Sequence, residues 1–321
     1  MITVYKHENG STDVVDAVDP SWLQPNSSIW VWVDLSAPTP EEVKILSNTF
    51  HFHELSIEDA LAEIHQPKVE SYGPYLYLIL HAIDFKAKEH AFRTKEVDFF
   101  LGAQYLVTMH SGTSRSIQRI AEICPRNDRV LGEGPLALLH RVVDAMVDNY
   151  RPEVDKLNDR LDALEKEVFQ GPKPTLVRRI LDFKRDVASL RRVVLPQRDA
   201  ISRLARREFP QISEALSYRF RDVHDHLVRL ADEAIYAQDR ISSLLEAHLS
   251  NVSNQLNAVM KVLTIISTIF MPLTVLTGMF GMNVELPRFP GSDRVQFWWV
   301  AVIMLASSGA MLWFFRRRKW I

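Results

Sequence analysis

Val262–Met282 reads VLTIISTIFMPLTVLTGMFGM, a run without Asp, Glu, Lys or Arg, and Phe297–Phe315 reads FWWVAVIMLASSGAMLWFF, again without one. At 1.5 Å per residue the first run covers about 32 Å, close to the hydrocarbon thickness of about 30 Å in a bilayer. Two such runs joined by a short loop, with Trp298, Trp299 and Trp320 at their ends, predict a pair of membrane-spanning helices rather than buried core helices. Arg316, Arg317, Arg318 and Lys319 follow the second run directly. The loop carries Glu285, Arg288, Asp293 and Arg294, whose charges cancel. Positive-inside asymmetry then places both termini in the cytosol and the loop outside.

Everything before these runs is charge-rich, yet the net charge over 321 residues is only −2, so no overall field argues for nucleic acid as a partner. A single cysteine, Cys124, excludes an intrachain disulfide and suits a reducing compartment. Met1–Lys6 followed by Glu8 lacks the basic-then-apolar pattern of a secretory signal, so the long polar part is expected to stay inside.

Residues 1–134 read as a mixed α/β domain. Apolar or alternating runs at Ile2–Tyr5, Ile29–Val33, Tyr75–Ile83, Val97–Leu101 and Tyr105–Met109 predict strands. Thr39-Pro40-Glu41-Glu42 has the cap, the proline and the glutamate of a helix start, and a second helix is expected from Ser56. Residues 135–211 predict a helical hairpin. Its first helix should run to Gln170 with a kink at Pro152, and its second from about Thr175 to Arg207, with Gly171-Pro172-Lys173-Pro174 between them. The acidic run Asp155, Asp159, Asp162, Glu165 and Glu167 near its tip reads first as a solvated face. From Ile212 no proline or glycine intervenes before Pro272, and Ile241, Leu245, Leu249, Val252, Leu256 and Val259 recur in steps of three and four. A stalk helix over 212–261 should therefore continue into the first span, 262–283, as one rod of roughly 105 Å. An external loop (284–296), the second span (297–315) and a basic tail (316–321) complete the chain.

On the first span Asn257, Met260, Thr264, Ser267, Met271, Thr274, Gly278 and Gly281 form one stripe. Such a stripe either lines a path or packs against another helix through small and hydroxyl residues. Two helices cannot enclose a path, so a pore reading requires several subunits around an axis, each contributing its first span. The second span, with Ser307, Ser308 and Gly309 as its one small polar patch, would then face lipid.

The first span ends Phe280-Gly281-Met282-Asn283, followed by Val284-Glu285-Leu286-Pro287. This resembles the Gly-Met-Asn signature of the CorA family of magnesium transporters, in the position the family gives it, before a final span and a basic tail. Gln66-Pro67-Lys68-Val69-Glu70 and Phe220-Arg221-Asp222-Val223 extend the resemblance over essentially the whole chain. Two positions depart from the family pattern: Phe280 stands where tyrosine is usual, and His65-Gln66-Pro67-Lys68 where Gln-Arg-Pro-Lys is usual. ZntB-type zinc transporters vary the signature's middle residue, which is Met282 here.

The resemblance implies an α+β domain in α/β/α layers, a homopentameric funnel in the cell (inner) membrane, and transport of hydrated Mg²⁺, with Co²⁺ and Ni²⁺ as related cargo. Gly281, Met282, Asn283 and Glu285 would form the ion-entry filter. Mg²⁺ sheds water reluctantly, so neutral amide and carbonyl acceptors could dock its coordinated waters, with Glu285 concentrating cations outside. Met260, Leu263 and Met271 would form apolar constrictions, and Asn257 and Thr274 water contacts. The membrane potential supplies about 4.6 kcal/mol per 100 mV for a divalent ion, and no phosphate-binding Gly-x-x-x-x-Gly-Lys-Ser/Thr motif indicates ATP drive. Asp222 would act in a regulatory Mg²⁺ site that closes the pore, with Asp84 as its partner unless Lys86 takes that place. The alternative for Asp222 is a surface charge paired with Arg219 or Arg221. No organic cofactor is implied. Rival readings are a zinc transporter and a membrane-anchored sensor or scaffold. A metalloenzyme finds little support, because His224 and His226 are two apart and point to different helix faces.

Overall fold

The computed structural model describes residues 1–24, 26–62, 65–83, 94–171, 173–282 and 292–320. They fall into two compact units, Met1–Leu245 and Glu246–Ile321.

In the first unit, strands β1 (Ile2–Glu8), β2 (Ser11–Val15), β3 (Trp30–Ser36), β4 (Lys68–Ser71), β5 (Leu76–Ile83), β6 (Thr94–Leu101) and β7 (Tyr105–His110) form one sheet in the order β2-β1-β3-β7-β6-β5-β4. Neighbours are antiparallel except β3 and β7, which run parallel. The β1–β2 hairpin turns through Asn9 and Gly10, both at positive φ, the pair that a tight two-residue turn favours.

Alternation along the strands sends side chains to two cores. One face holds Val33, Leu35, Tyr77 and Phe100 under helices α1 (Pro40–Asn48) and α2 (Glu54–Leu61), which contribute Leu46 and Ala60. The Thr39 cap forms as expected: its hydroxyl accepts from Glu42 N, and Glu42 accepts from Thr39 N at 2.8 Å. Helix α2 starts two residues earlier than expected because the His53 ring caps it, accepting from Leu55 N.

The opposite face holds Trp32, Leu78, Val97 and Leu106. It is covered by α3 (Arg115–Ile123), the short α4 (Arg129–Gly132) and α5 (Pro135–Asp148), with α6 (Tyr150–Phe169), α7 (Leu176–Ala205) and the start of α8 (Glu214–Phe280) completing the same core. The expected single helix from 135 to 170 is two helices. The break falls at Asn149, and Pro152 sits in the first turn of α6, where its missing N–H loses no intrahelical bond. Helices α6 and α7 form the hairpin, with Leu157, Leu161 and Leu164 buried on one arm and Ile180, Phe183 and Val187 on the other. The acidic run is only partly a solvated face: Arg240 on α8 binds both Asp162 and Glu165, and Glu167 pairs with Arg179.

Helix α8 is unbroken from Glu214 to Phe280, passing Pro272, and α9 (Asp293–Arg317) follows. Both contain stretches long and apolar enough to cross a membrane.

Candidate functional site

The second unit contains the rest of α8, then α9. Lys261 marks where they meet: its ammonium donates to the Lys319 carbonyl at 3.1 Å and lies 5.7 Å from the Trp320 ring. Trp320 stacks on Phe315, which is 6% exposed. The start of the first apolar run therefore lies beside the end of the second, and the two helices are antiparallel.

Along α8 from Lys261 to Phe280 the covered positions are Lys261, Ile265, Ile269, Pro272, Leu273 and Leu276, which follow one helical face. On α9 they are Val300, Ile303, Met304, Ser307, Ser308, Met311 and Phe315. Each helix thus covers one face of the other. The hydroxyls of Ser307 and Ser308 return to the Met304 carbonyl, which lets the helices approach there without an unsatisfied donor. Of the small patch on α9, Ser307 and Ser308 lie on the covered side and Gly309 on the exposed one.

Asn257, Met260, Leu263, Thr264, Ser267, Met271, Thr274 and Gly278 are all exposed. Packing within the chain does not use this stripe. Thr264 and Thr274 donate back to the carbonyls of Met260 and Phe270 at 2.8 and 2.9 Å, which keeps each hydroxyl's acceptor lone pairs available. A Cβ on Gly278 would meet nothing within 4 Å. On Gly281 it would sit 3.0 Å from the Thr277 carbonyl, so a larger residue there requires that carbonyl to give way by a few tenths of an ångström. Gly281 N closes the last turn on that same carbonyl, and Met282 follows exposed. Asn283 and Glu285 lie outside the described residues, as do Asp84 and Lys86.

In the first unit Asp222 is exposed on α8. Neither flanking arginine pairs with it: Arg219 binds Glu133 at 3.0 Å, and Arg221 lies over the Tyr218 ring. Asp222 instead faces an acidic neighbourhood on α5. Burial raises the Asp144 carboxyl above its ordinary range, and Asp148 and Asp222 push it further while His140 and His226 oppose them. Carboxylates that repel one another in this way are receptive to a cation. Among the described residues of this chain, no three His, Cys, Asp or Glu converge to hold a metal. His51 and His53 have local tasks, His51 bonding to the Ser47 carbonyl and His53 capping α2.

An antiparallel pair of bilayer-length helices, one presenting an open hydroxyl and glycine stripe, is the arrangement of a membrane-embedded helical hairpin with one face left for further contacts. The chain belongs to the CorA-like Mg²⁺ transporter family, whose model matches residues 27–317. It is 32% identical to the cobalt/magnesium transport protein CorA of Thermotoga maritima, over 92% of this chain and 85% of that one. The zinc transport protein ZntB of Pectobacterium atrosepticum is 25% identical over 96% of this chain and 91% of its own length. The fold matches the complete structure of the CorA magnesium transporter from Methanocaldococcus jannaschii with a TM-score of 0.85 at 22% identity, covering 100% of this chain and 99% of that one. Divalent cation transport is accordingly the class of activity.

Proposed function

We propose that the chain assembles as a homopentamer in the cell membrane, with both termini in the cytosol, and conducts hydrated Mg²⁺ inward along a path lined by α8. The observation that carries this reading is the division of α8 into two faces. Lys261, Ile265, Ile269 and Leu273 are covered by α9, whereas the stripe from Asn257 to Gly278 is left open for other copies. Rings of Asn283 and Gly281 would receive the waters of the incoming ion, and Glu285 would concentrate cations at the mouth. Thr274, Ser267, Thr264 and Asn257 would offer oxygen to the same waters deeper in. Met271, Leu263 and Met260, more than half exposed in the single chain, would form apolar constrictions that close by dewetting. Membrane potential drives entry. Intracellular Mg²⁺ closes the path through Asp222, which has no ion-pair partner among the described residues, with Asp84 or another carboxylate of a neighbouring copy completing the site.

Ion-resolved flux into liposomes tests this. Asn283→Ala should lower Mg²⁺ influx by about tenfold or more, the loss expected when a polar contact to a charged species is removed, while oligomeric state is unchanged. Unaltered flux would remove Asn283 from the filter. The match to ZntB favours zinc as the second reading, and the same liposomes decide it: Zn²⁺ entry exceeding Mg²⁺ entry would replace the cargo.

A further inference from the structure

The first unit holds a crevice that the ion path does not use. Strands β3 and β7 are parallel neighbours, but the chain leaves β3 for α1 on one face of the sheet and leaves β7 for α3 on the other. In open α/β sheets, the point where successive connections diverge is where small ligands bind, beyond the carboxyl ends of the strands. A cavity of about 460 Å³ opens there, between Ala37-Pro38 just past β3 and His110-Ser111 at the end of β7. That volume lies within the roughly 300–1,000 Å³ of small-molecule sites.

One wall is a carboxyl with an unused oxygen. Asp98 is 3% exposed, and its single hydrogen bond among the described residues comes from the Tyr77 hydroxyl, 2.6 Å from Oδ1. Glu96 lies two residues earlier on the same strand face; one of its oxygens receives the His65 backbone N–H at 2.7 Å and the other lies 3.3 Å from His65 Nδ1, each keeping a further lone pair. The C-terminal end of α2, at Ala60 and Leu61, adds the negative end of a helix dipole. Lys95, on the same wall, donates to the Thr113 carbonyl among its contacts. The rest of the lining combines carbon from Pro38, Leu61 and Met109 with the polar groups of Thr94, His110 and Ser111. Acceptors at one side and hydrocarbon at the other do not suit a bare or fully hydrated metal ion.

The geometry points to a binding site for a small alkylammonium ion, a protonated amine on a short aliphatic chain, with Asp98 Oδ2 and Glu96 receiving its N–H groups and Leu61, Met109 and Pro38 covering its methylenes. Its charge would offset the mutual repulsion of the two carboxylates. The assignment does not depend on the ion path or its cargo.

Calorimetric titration of the full-length protein in detergent with 1,4-diaminobutane tests it, with 1,4-butanediol as the uncharged control. One diamine should bind per chain, and the diol should not. Asp98→Asn should weaken the diamine about tenfold or more, since a charge-assisted hydrogen bond is lost. Ala62→Trp, a change at an exposed residue of the rim, should weaken it similarly while leaving the fold intact, and it serves as the deciding variant if Asp98→Asn does not fold. Absence of binding, equal affinity in both variants, equal binding of the diol, or displacement of the diamine by stoichiometric Mg²⁺ would each overturn the assignment.

Discussion

Asp98 shows how one buried side chain ties stability to pH. Burial holds its carboxyl well above the usual range, Glu96 and Asp59 push the same way, and the Tyr77 hydroxyl pulls against them. A carboxyl that keeps its proton more tightly when folded contributes no penalty below its unfolded pKa. The penalty grows as pH rises from there toward the folded value. Asp98→Asn, whose amide oxygen can still accept from Tyr77, should therefore melt above the wild type at pH 8, with the gap shrinking toward pH 4. Thermal unfolding followed by circular dichroism at both pH values measures this. A gap independent of pH would assign the effect to packing instead. None of this could be read from the sequence. Nothing in Val97-Asp98-Phe99 says that the carboxyl faces a cavity, because that depends on how α2 sits over the sheet.

Helices and strands differ in how far the sequence announces them. The charge-free runs and the Thr39 cap were legible because each rests on a local rule: transfer cost for the runs, orphan N–H groups for the cap. Strand β2 was not read, although Asn9-Gly10 signals its hairpin, since Ser11–Val15 is a short polar edge with little alternation. The covered face of α8 was equally hidden. A helix that is apolar almost all round carries no moment to show which side meets its partner. At the helix end, Gly281 and Gly278 look alike in sequence and differ in space. Gly281→Ala would press its Cβ against the Thr277 carbonyl and disturb the turn that leads to Asn283, whereas Gly278→Ala meets nothing within 4 Å in the single chain. Gly281→Ala should reduce Mg²⁺ flux several-fold while Gly278→Ala leaves the melting temperature of the purified protein unchanged. Equal flux in wild type and Gly281→Ala would show that the helix end tolerates the strain.

For the whole molecule, the central expectation is that copies meet across the open stripe. The chain's one cysteine, Cys124, is buried, and its thiol is pushed up to about 12 by burial and then by Asp128, so it should not react under mild oxidation. New cysteines can therefore be read against a quiet background. Met271→Cys, on the stripe, should form intermolecular disulfides in membranes and give a cross-linked dimer under oxidation, since one reactive thiol per chain joins chains only in pairs. Ile269→Cys, on the face that α9 covers, should not. A dimer from the second variant and none from the first would reverse the assignment of faces.

The open stripe has a further consequence for how such a protein can change over generations. Residues that touch no other part of their own chain are exempt from most of the selection that preserves a folded protomer. If the stripe lines the proposed path, substitutions among Thr264, Ser267 and Thr274 would shift which metal is admitted without first having to be rescued by compensating changes in the core. A lineage built this way can explore new cargo cheaply, and relatives named for magnesium, cobalt and zinc on one scaffold are what that freedom would leave behind.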